Sequence, residues 1–209
     1  MTDTTAHTDL KNALQEYQAR RLRETYADVV RDPQYTRLGA FFFDEIYGPQ
    51  DFSFRNESIR TLHQHLKGLL RGDIIDGMAR VIDLHDLTDR LDEHMVRELT
   101  ALDARPPLAP AVYTTAYRRC GNYEERLKQI DLMLEAIRTI HRISRMRLIG
   151  LSLKAVHGAA HLAGYGAIMD FLTNGYEAFH KVRDIGFFAG TVEAREKRIN
   201  DELFGRAPQ

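Results

Sequence analysis

Two histidines at helical spacing are the first residues of this sequence that could do chemistry. His157 and His161 stand four positions apart, which places both imidazoles on one face of a helix, where they could share a metal ion. The H-E-x-x-H pattern of metalloproteases is absent, because Gly158 occupies the position of the glutamate. The alternative interpretation is a pair of core or surface histidines that bind no ligand.

A second candidate is the dipeptide His85-Asp86. With His63 or His65 upstream and Asp131 downstream, it resembles the order of ligands in metal-dependent phosphohydrolases of the HD type. Such enzymes need imidazoles and carboxylates that converge from different helices on a metal, which activates a water molecule. The alternative is a solvated helix face, on which the aspartate pairs with an arginine one turn further along.

Two further cofactor patterns are incomplete in this sequence. Glu177-x-x-His180 matches half of a ferritin-like di-iron set, and the second Glu-x-x-His that such a site requires is missing. A site shared with His161 would need a helix break near Asn174-Gly175, because Glu177 lies nearly opposite His161 on one continuous helix. Haem is a related alternative, since a helical protein with aromatic residues, small residues and histidines could hold a flat macrocycle, although C-x-x-C-H is absent.

Nucleophilic catalysis has little support from the sequence. Cys120 precedes Gly121 at a predicted helix end, where the helix dipole does not lower the pKa of a thiol. Neither G-x-S-x-G nor a phosphate-binding glycine motif occurs. The single cysteine excludes an internal disulfide and indicates a reducing compartment.

The charge and hydropathy of the chain argue against two classes of partner. The formal net charge is -1, which favours neither nucleic acid nor an anionic membrane surface. No apolar run approaches the length of a membrane span, and residues 1–5 lack the basic and apolar regions of a signal peptide. We therefore expect a cytoplasmic protein.

Helices must position these residues, because apolar residues recur at helical spacing and no alternating β-branched run is bounded by turns. The first predicted helix is long and amphipathic and follows a cap at Thr8 or Asp9, so residues 1–8 are expected to be disordered. Asp32-Pro33 predicts the cap and first residue of the second helix. A third helix should begin at Asp51 or Ser53 and end at Gly72-Asp73, and a fourth should run to about Leu102 with a kink near His85. The segment 104–110 is a proline-rich loop within one domain, residues 1–209.

The second half of the chain also predicts helices. A short helix over 111–119 should end at Cys120-Gly121, and Asn122 should cap the next one. The apolar stripe of that helix contains Leu127, Ile130, Leu134 and Ile137 and continues to His141, a position typical of a core histidine. A continuous helical stretch rich in small residues should begin near Leu148, and the last helix should cover about 188–204. The fold class is therefore all-α, a single-domain bundle of about seven to nine helices.

The nine residues from Phe41 to Pro49 are expected to organise this bundle. Three consecutive phenylalanines cannot all face water, and Gly48-Pro49 should end their helix. The segment, with the Asp51 and Arg55 that follow, resembles the FFL-x-x-LYG-P-x-D-F-S-x-R-D signature of a family of uncharacterised bacterial proteins of about this length. The segment 117–121 and the residues from 163 to 204 fit the same family.

The resemblance covers nearly the whole chain and implies one helical domain without an established activity. Most histidines fall outside the signature, so the resemblance does not support them as ligands. The sequence favours a helical binding or accessory protein whose ligand, a protein or a small molecule, is unknown. We expect no cofactor, and we expect a homodimer that forms through an apolar helix face. The alternative is an enzyme or carrier that holds a divalent metal or haem with core histidines; its candidate ligands are His63, His85, Asp86, His157 and His161.

Overall fold

The computed structural model describes residues 2–42, 72–162 and 166–207. Within these ranges the chain forms eight α-helices and a short 3-10 turn at Val29–Arg31, and no strand. The helices are α1 (Thr2–Thr25), α2 (Pro33–Ala40), α3 (Gly72–Ala101), α4 (Pro110–Cys120), α5 (Tyr123–Ser144), α6 (Arg147–Leu162), α7 (Gly166–His180) and α8 (Ile185–Phe204). The predicted all-α fold is confirmed. None of these helices is both long and apolar enough to cross a membrane.

Residue types at the helix ends explain where several helices begin and stop. The Asp32 carboxylate accepts a hydrogen bond from the Gln34 backbone N–H at 3.0 Å, with Pro33 as the first residue of α2. Gly121 ends α4 at φ 63°, a left-handed conformation that glycine adopts without a steric penalty. Both ends were predicted from the sequence. Asn122 does take the cap position of α5, but its side chain makes no capping hydrogen bond.

Two predicted helix starts and one predicted kink differ from the structure. α1 begins at Thr2, so the segment that we expected to be disordered forms its first turns. α8 begins at Ile185, three residues before the predicted start, because Asp184 caps it through a 2.8 Å hydrogen bond from the Phe187 backbone N–H. α3 continues through His85 without interruption. The predicted third helix and the end of the phenylalanine segment, residues 43–71, lie outside the described residues.

The stretch after Leu148 is two helices and not one continuous helix as predicted. α6 ends at Leu162 and α7 begins at Gly166, and the two helices pack against each other. The helix break that a site shared by His161 and Glu177 would require was placed near Asn174-Gly175, but α7 is continuous there. Gly175 serves another purpose, because a Cβ atom at this position would lie 2.9 Å from Cζ of Phe41.

The central helix of the bundle is α5, which packs against α3, α6, α7 and α8. Ile130, Leu134 and Ile137 form its predicted apolar stripe and are each at most 6% exposed. One apolar cluster joins α5 to α2, α7, α8 and the end of α1, and a second joins the start of α1 to α3 and α4. The region between these two clusters contains the polar side chains described below.

Phe41 and Phe42 lie in the first of these clusters. Phe41 is buried and Phe42 is half-buried, and their ring centroids lie 6.3 and 6.0 Å from that of Phe179 on α7. Phe42 also contacts Phe188 of α8 at 6.2 Å. The first two phenylalanines of the segment therefore join three helices.

Candidate functional site

A polar cavity of about 70 Å³ lies between α1, α3, α4, α5 and α8. This volume is enough for roughly five water molecules or one small polar ligand. Polar or ionisable side chains make up most of its wall; they are Gln18, Arg21, Thr88, Asp92, Tyr113, Tyr117, Arg126, Gln129, Glu196 and Asn200.

Helical periodicity brings these side chains to one place. Each contributing helix presents its polar residues at spacings of three or four, as with Gln18 and Arg21 on α1, or Asp92 one turn after Thr88 on α3. On α5, Arg126 precedes the buried core residue Ile130 by four positions, so it occupies the face that turns towards the protein interior. The cavity is therefore a polar region within the interior of the bundle.

One side of the cavity is formed by the carboxylate of Glu196, which is paired with other side chains of the protein. Arg21 donates two hydrogen bonds to the Glu196 carboxylate, at 3.0 and 2.9 Å, and the Tyr26 hydroxyl donates a third at 2.9 Å. Burial raises the pKa of Tyr26, and the nearby Glu196 charge raises it further. Glu196, which is 8% exposed, thus has three donors and is well satisfied.

The Arg126 guanidinium has fewer hydrogen-bond partners than the Glu196 carboxylate has. It is 4% exposed, and its Nη1 donates to Gln129 at 3.2 Å while its guanidinium lies over the Tyr117 ring, 4.7 Å from the centroid. Its Nε and Nη2 atoms have no hydrogen-bond partner in the described parts of the chain. A buried, charged donor without a partner is costly, so these atoms are the natural position for an acceptor from outside the chain.

The other buried atoms of the cavity wall that lack a hydrogen-bond partner are also N–H donors. Among the described residues these atoms are Nε of Arg21 and Nδ2 of Asn200. Asn200 uses its Oδ1 to accept from the Tyr117 hydroxyl at 2.9 Å. All of these unpaired groups are N–H donors, so the cavity favours a ligand that accepts hydrogen bonds.

The Asp92 carboxyl faces the same cavity from α3. It is 5% exposed and accepts a hydrogen bond from Gln18 at 3.1 Å. Burial raises its pKa, although the charge of Arg126 and the Gln18 hydrogen bond oppose that rise. The Asp92 carboxyl and the Arg126 guanidinium therefore interact favourably within the same cavity wall.

The two histidines predicted to share a metal lie together on α6. Nε2 of His157 and Nε2 of His161 lie 3.1 and 3.0 Å from the same oxygen, Oδ1 of Asp170 on α7. The three potential ligand atoms all lie within 4.8 Å of one another. The His161 hydrogen bond is the main cause that holds the pKa of Asp170 below its usual range.

Sequence reasoning missed Asp170 because it assumed a single helix over this stretch. On one continuous helix Asp170 would lie more than two turns beyond His161. The available signal was the pair Gly164 and Gly166, since two glycines so close together indicate a turn between helices.

The proposed HD-type site is not assembled in the described part of the chain. His85 and Asp86 lie on α3, Asp131 lies on α5, and His63 lies outside the described residues. Among the described residues, the one group of three or more side chains that could hold a metal is the set at His157. Asp131 is 3.9 Å from Nζ of Lys197, an exposed ion pair.

Two other histidines, His141 and His180, bind backbone carbonyl groups. His141 donates from Nε2 to the Val182 carbonyl at 3.0 Å, and His180 donates from Nδ1 to the Ser144 carbonyl at 2.7 Å. Glu177, the partner of His180 in the incomplete di-iron pattern, accepts from Arg37 at 2.6 Å. These contacts tie α5 and α7 to their neighbours and give no support to a di-iron or haem site.

Cys120 is buried at the end of α4, with its Sγ atom 3.6 Å from the Met95 sulfur. Burial raises the pKa of this thiol to about 11. The thiolate is the reactive form, and at pH 8 its fraction is then about one in a thousand. This residue is therefore not an activated nucleophile.

The reactivity of Cys120 is a direct check on this environment. At pH 8 we expect a thiol reagent to modify the native protein at least about 100-fold more slowly than the urea-unfolded protein, in which the pKa of the thiol returns to its ordinary value. The rate on the native protein should rise about tenfold per pH unit up to pH 10, since the thiolate fraction does. Equal rates for native and unfolded protein would contradict the buried position.

Comparison with known protein families places this chain in one of them. Residues 2–209 match the family described as a domain of unknown function, DUF8198. The match covers nearly the entire chain, so the chain belongs to this family, for which no activity is established. Neither curated proteins nor solved structures give a match.

Proposed function

We propose that this member of the family is a binding protein that holds a small anion in the polar cavity between α1, α3, α4, α5 and α8. The observation that carries the proposal is Arg126, a buried guanidinium with two nitrogen atoms that have no hydrogen-bond partner among the described residues. The resemblance to uncharacterised bacterial proteins makes a bacterial source part of the same proposal.

The donor set of the cavity matches a carboxylate or a phosphate group. Nε and Nη2 of Arg126 are two donors on one planar guanidinium, which can contact an oxyanion with charge-assisted hydrogen bonds. Asn200 adds an uncharged amide donor. The cavity volume of about 70 Å³ accommodates such a group.

The charges around the cavity also favour an anion. Glu196 neutralises Arg21 through two short hydrogen bonds, so this pair adds little net charge. Gln129 is the only described hydrogen-bond partner of the Arg126 guanidinium, and it is uncharged. Asp92 offsets part of the Arg126 charge, and an anionic acceptor at the unpaired N–H groups would complete its pairing in an environment where water screens charge poorly.

The proposal can be tested by thermal unfolding in increasing sodium phosphate or sodium acetate, with ionic strength held constant by sodium chloride. We expect the unfolding midpoint of the parent protein to rise with one of these anions, because a ligand that binds only the folded state stabilises it by about 2.7 kcal/mol at 100 times its Kd. Arg126→Met should abolish that rise. Since Arg126 is an incompletely paired buried charge, this variant should remain folded without added anion.

The matched control is Arg138→Met on the same helix. Arg138 has a side chain that is 54% exposed and lies 3.8 Å from Glu193, so this variant should respond to the anion like the parent. The proposal fails if neither anion shifts the midpoint of the parent, or if the Arg126 variant responds as the parent does.

Two further features of the protein stay predictions from the sequence. A cytoplasmic location accords with the single, buried Cys120, since disulfides are rare in reducing compartments. The amphipathic helices accord with a homodimer. The formal net charge of -1 accords with a partner other than nucleic acid. The proposed anion site does not depend on either feature.

A further inference from the structure

We propose that His157, His161 and Asp170 form a binding site for a divalent transition-metal ion of the zinc type, at the surface where α6 packs against α7. The site lies on two helices that do not contribute to the polar cavity. It is therefore independent of the proposed anion binding, and either proposal can fail alone.

The geometry of the three side chains already fits one small ion. The nitrogen atoms of both histidines approach the same oxygen of Asp170, at 3.1 and 3.0 Å, and their ring centroids are 4.6 Å apart. The three ligand atoms lie within 4.8 Å of one another. Zinc–ligand bonds of about 2.0–2.2 Å require ligand atoms at roughly such mutual distances, so modest side-chain rotations suffice.

Two features of the backbone bring the side chains of His157, His161 and Asp170 together. The spacing of four residues places both imidazoles on one face of α6. At the start of α7, Gly166 lies against the His161 ring, and a Cβ atom there would be only 2.5 Å from its Nδ1 atom. A larger residue at 166 would displace His161, so glycine allows the ring to occupy its position next to Asp170.

The type of ligand determines the type of metal. Two imidazole nitrogens and one carboxylate oxygen suit Zn²⁺, Ni²⁺, Co²⁺ or Cu²⁺, whereas Mg²⁺ and Ca²⁺ prefer oxygen ligands. The side chains are 43%, 42% and 50% exposed, so water can fill the remaining coordination positions. Each imidazole can offer Nε2 either as a donor to Asp170 or, in its other tautomer, as a lone pair to a metal.

The test is a calorimetric titration of tag-free, chelator-treated full-length protein with Zn²⁺, followed by Co²⁺ as a spectroscopic probe. We expect one saturable site in the parent protein, and visible Co²⁺ absorption of the kind that nitrogen ligands produce. His161→Gln and Asp170→Asn should each weaken the binding of Zn²⁺ by about tenfold or more. Both positions are at the surface, and circular dichroism should show that both variants keep the helical content of the parent.

His7→Gln is the matched control, because His7 is an exposed histidine on another helix with one carboxylate neighbour, Glu93, at 3.0 Å. This variant should bind Zn²⁺ like the parent. The proposal is overturned if the parent protein shows no saturable binding, or if His161→Gln and Asp170→Asn both bind Zn²⁺ as tightly as the parent. Mg²⁺ should give no comparable heat, and tight Mg²⁺ binding would contradict the assigned class of metal.

Discussion

Replacing Glu196 with alanine should lower the free energy of unfolding by about 3 kcal/mol. The variant removes the acceptor of two hydrogen bonds from Arg21 and one from Tyr26, and leaves both donors in a largely buried environment. We expect the lower end of the range for a broken buried ion pair, because a quarter of the Arg21 side chain is exposed to solvent. Urea unfolding of parent and variant, analysed with a shared slope, would measure the difference.

The neighbouring residue on α8 provides a matched control. Arg195 also makes two hydrogen bonds to one carboxylate, that of Asp28, but Asp28 is 61% exposed. Asp28→Ala should therefore cost much less than Glu196→Ala, because water replaces the lost partner. Glu196→Gln should fall between the two, since it removes the charge and retains the shape. Similar losses for Asp28→Ala and Glu196→Ala would contradict the buried role of Glu196.

The second large effect is expected at Phe179, the aromatic residue of α7 that is 0% exposed. Phe179→Ala should lower the free energy of unfolding by about 3–5 kcal/mol, because it removes a fully buried ring and leaves a cavity next to Phe41 and Phe42. A domain of ordinary stability has about 5–15 kcal/mol in total, so a large fraction of the variant could unfold at elevated temperature. Chemical unfolding at 25 °C is the appropriate measurement.

Phe187→Ala is the control for this prediction. Phe187 is 56% exposed on α8 and contacts Tyr35 with a centroid distance of 5.9 Å, so its truncation should cost less than about 1 kcal/mol. If the two phenylalanine variants were equally stable, the aromatic cluster around Phe41 would not be the core that the structure indicates.

Local residue types account for how well the helices could be predicted. The stripe of Ile130, Leu134 and Ile137 and the ends at Asp32-Pro33 and Gly121 were readable from the sequence, because each depends on contacts within a few residues. The division between α6 and α7 was missed although Gly164 and Gly166 are a local signal for a turn. The start of α1 was not readable, because it depends on packing between helices, which overrides weak local preferences.

The cavity was harder to predict than the helices for the same reason. Arg126 and Glu196 read as solvated charges when their helices are viewed one at a time, since charged residues are rarely buried. Arg126 did carry a signal, because it lies one turn before Ile130 on the apolar stripe of α5. Asp170 carried a weaker signal, because it lies next to His157 and His161 only after the chain reverses direction.

The wall of the polar cavity draws on residues as distant in sequence as Gln18 and Asn200. A fragment of this chain that begins after Gln18 or ends before Asn200 lacks part of this wall. An occupant of the cavity would therefore oppose global unfolding and have little influence on local fraying, because every contributing helix must be in place at once. Hydrogen exchange should show this as added protection of the slowest amides in all five helices together.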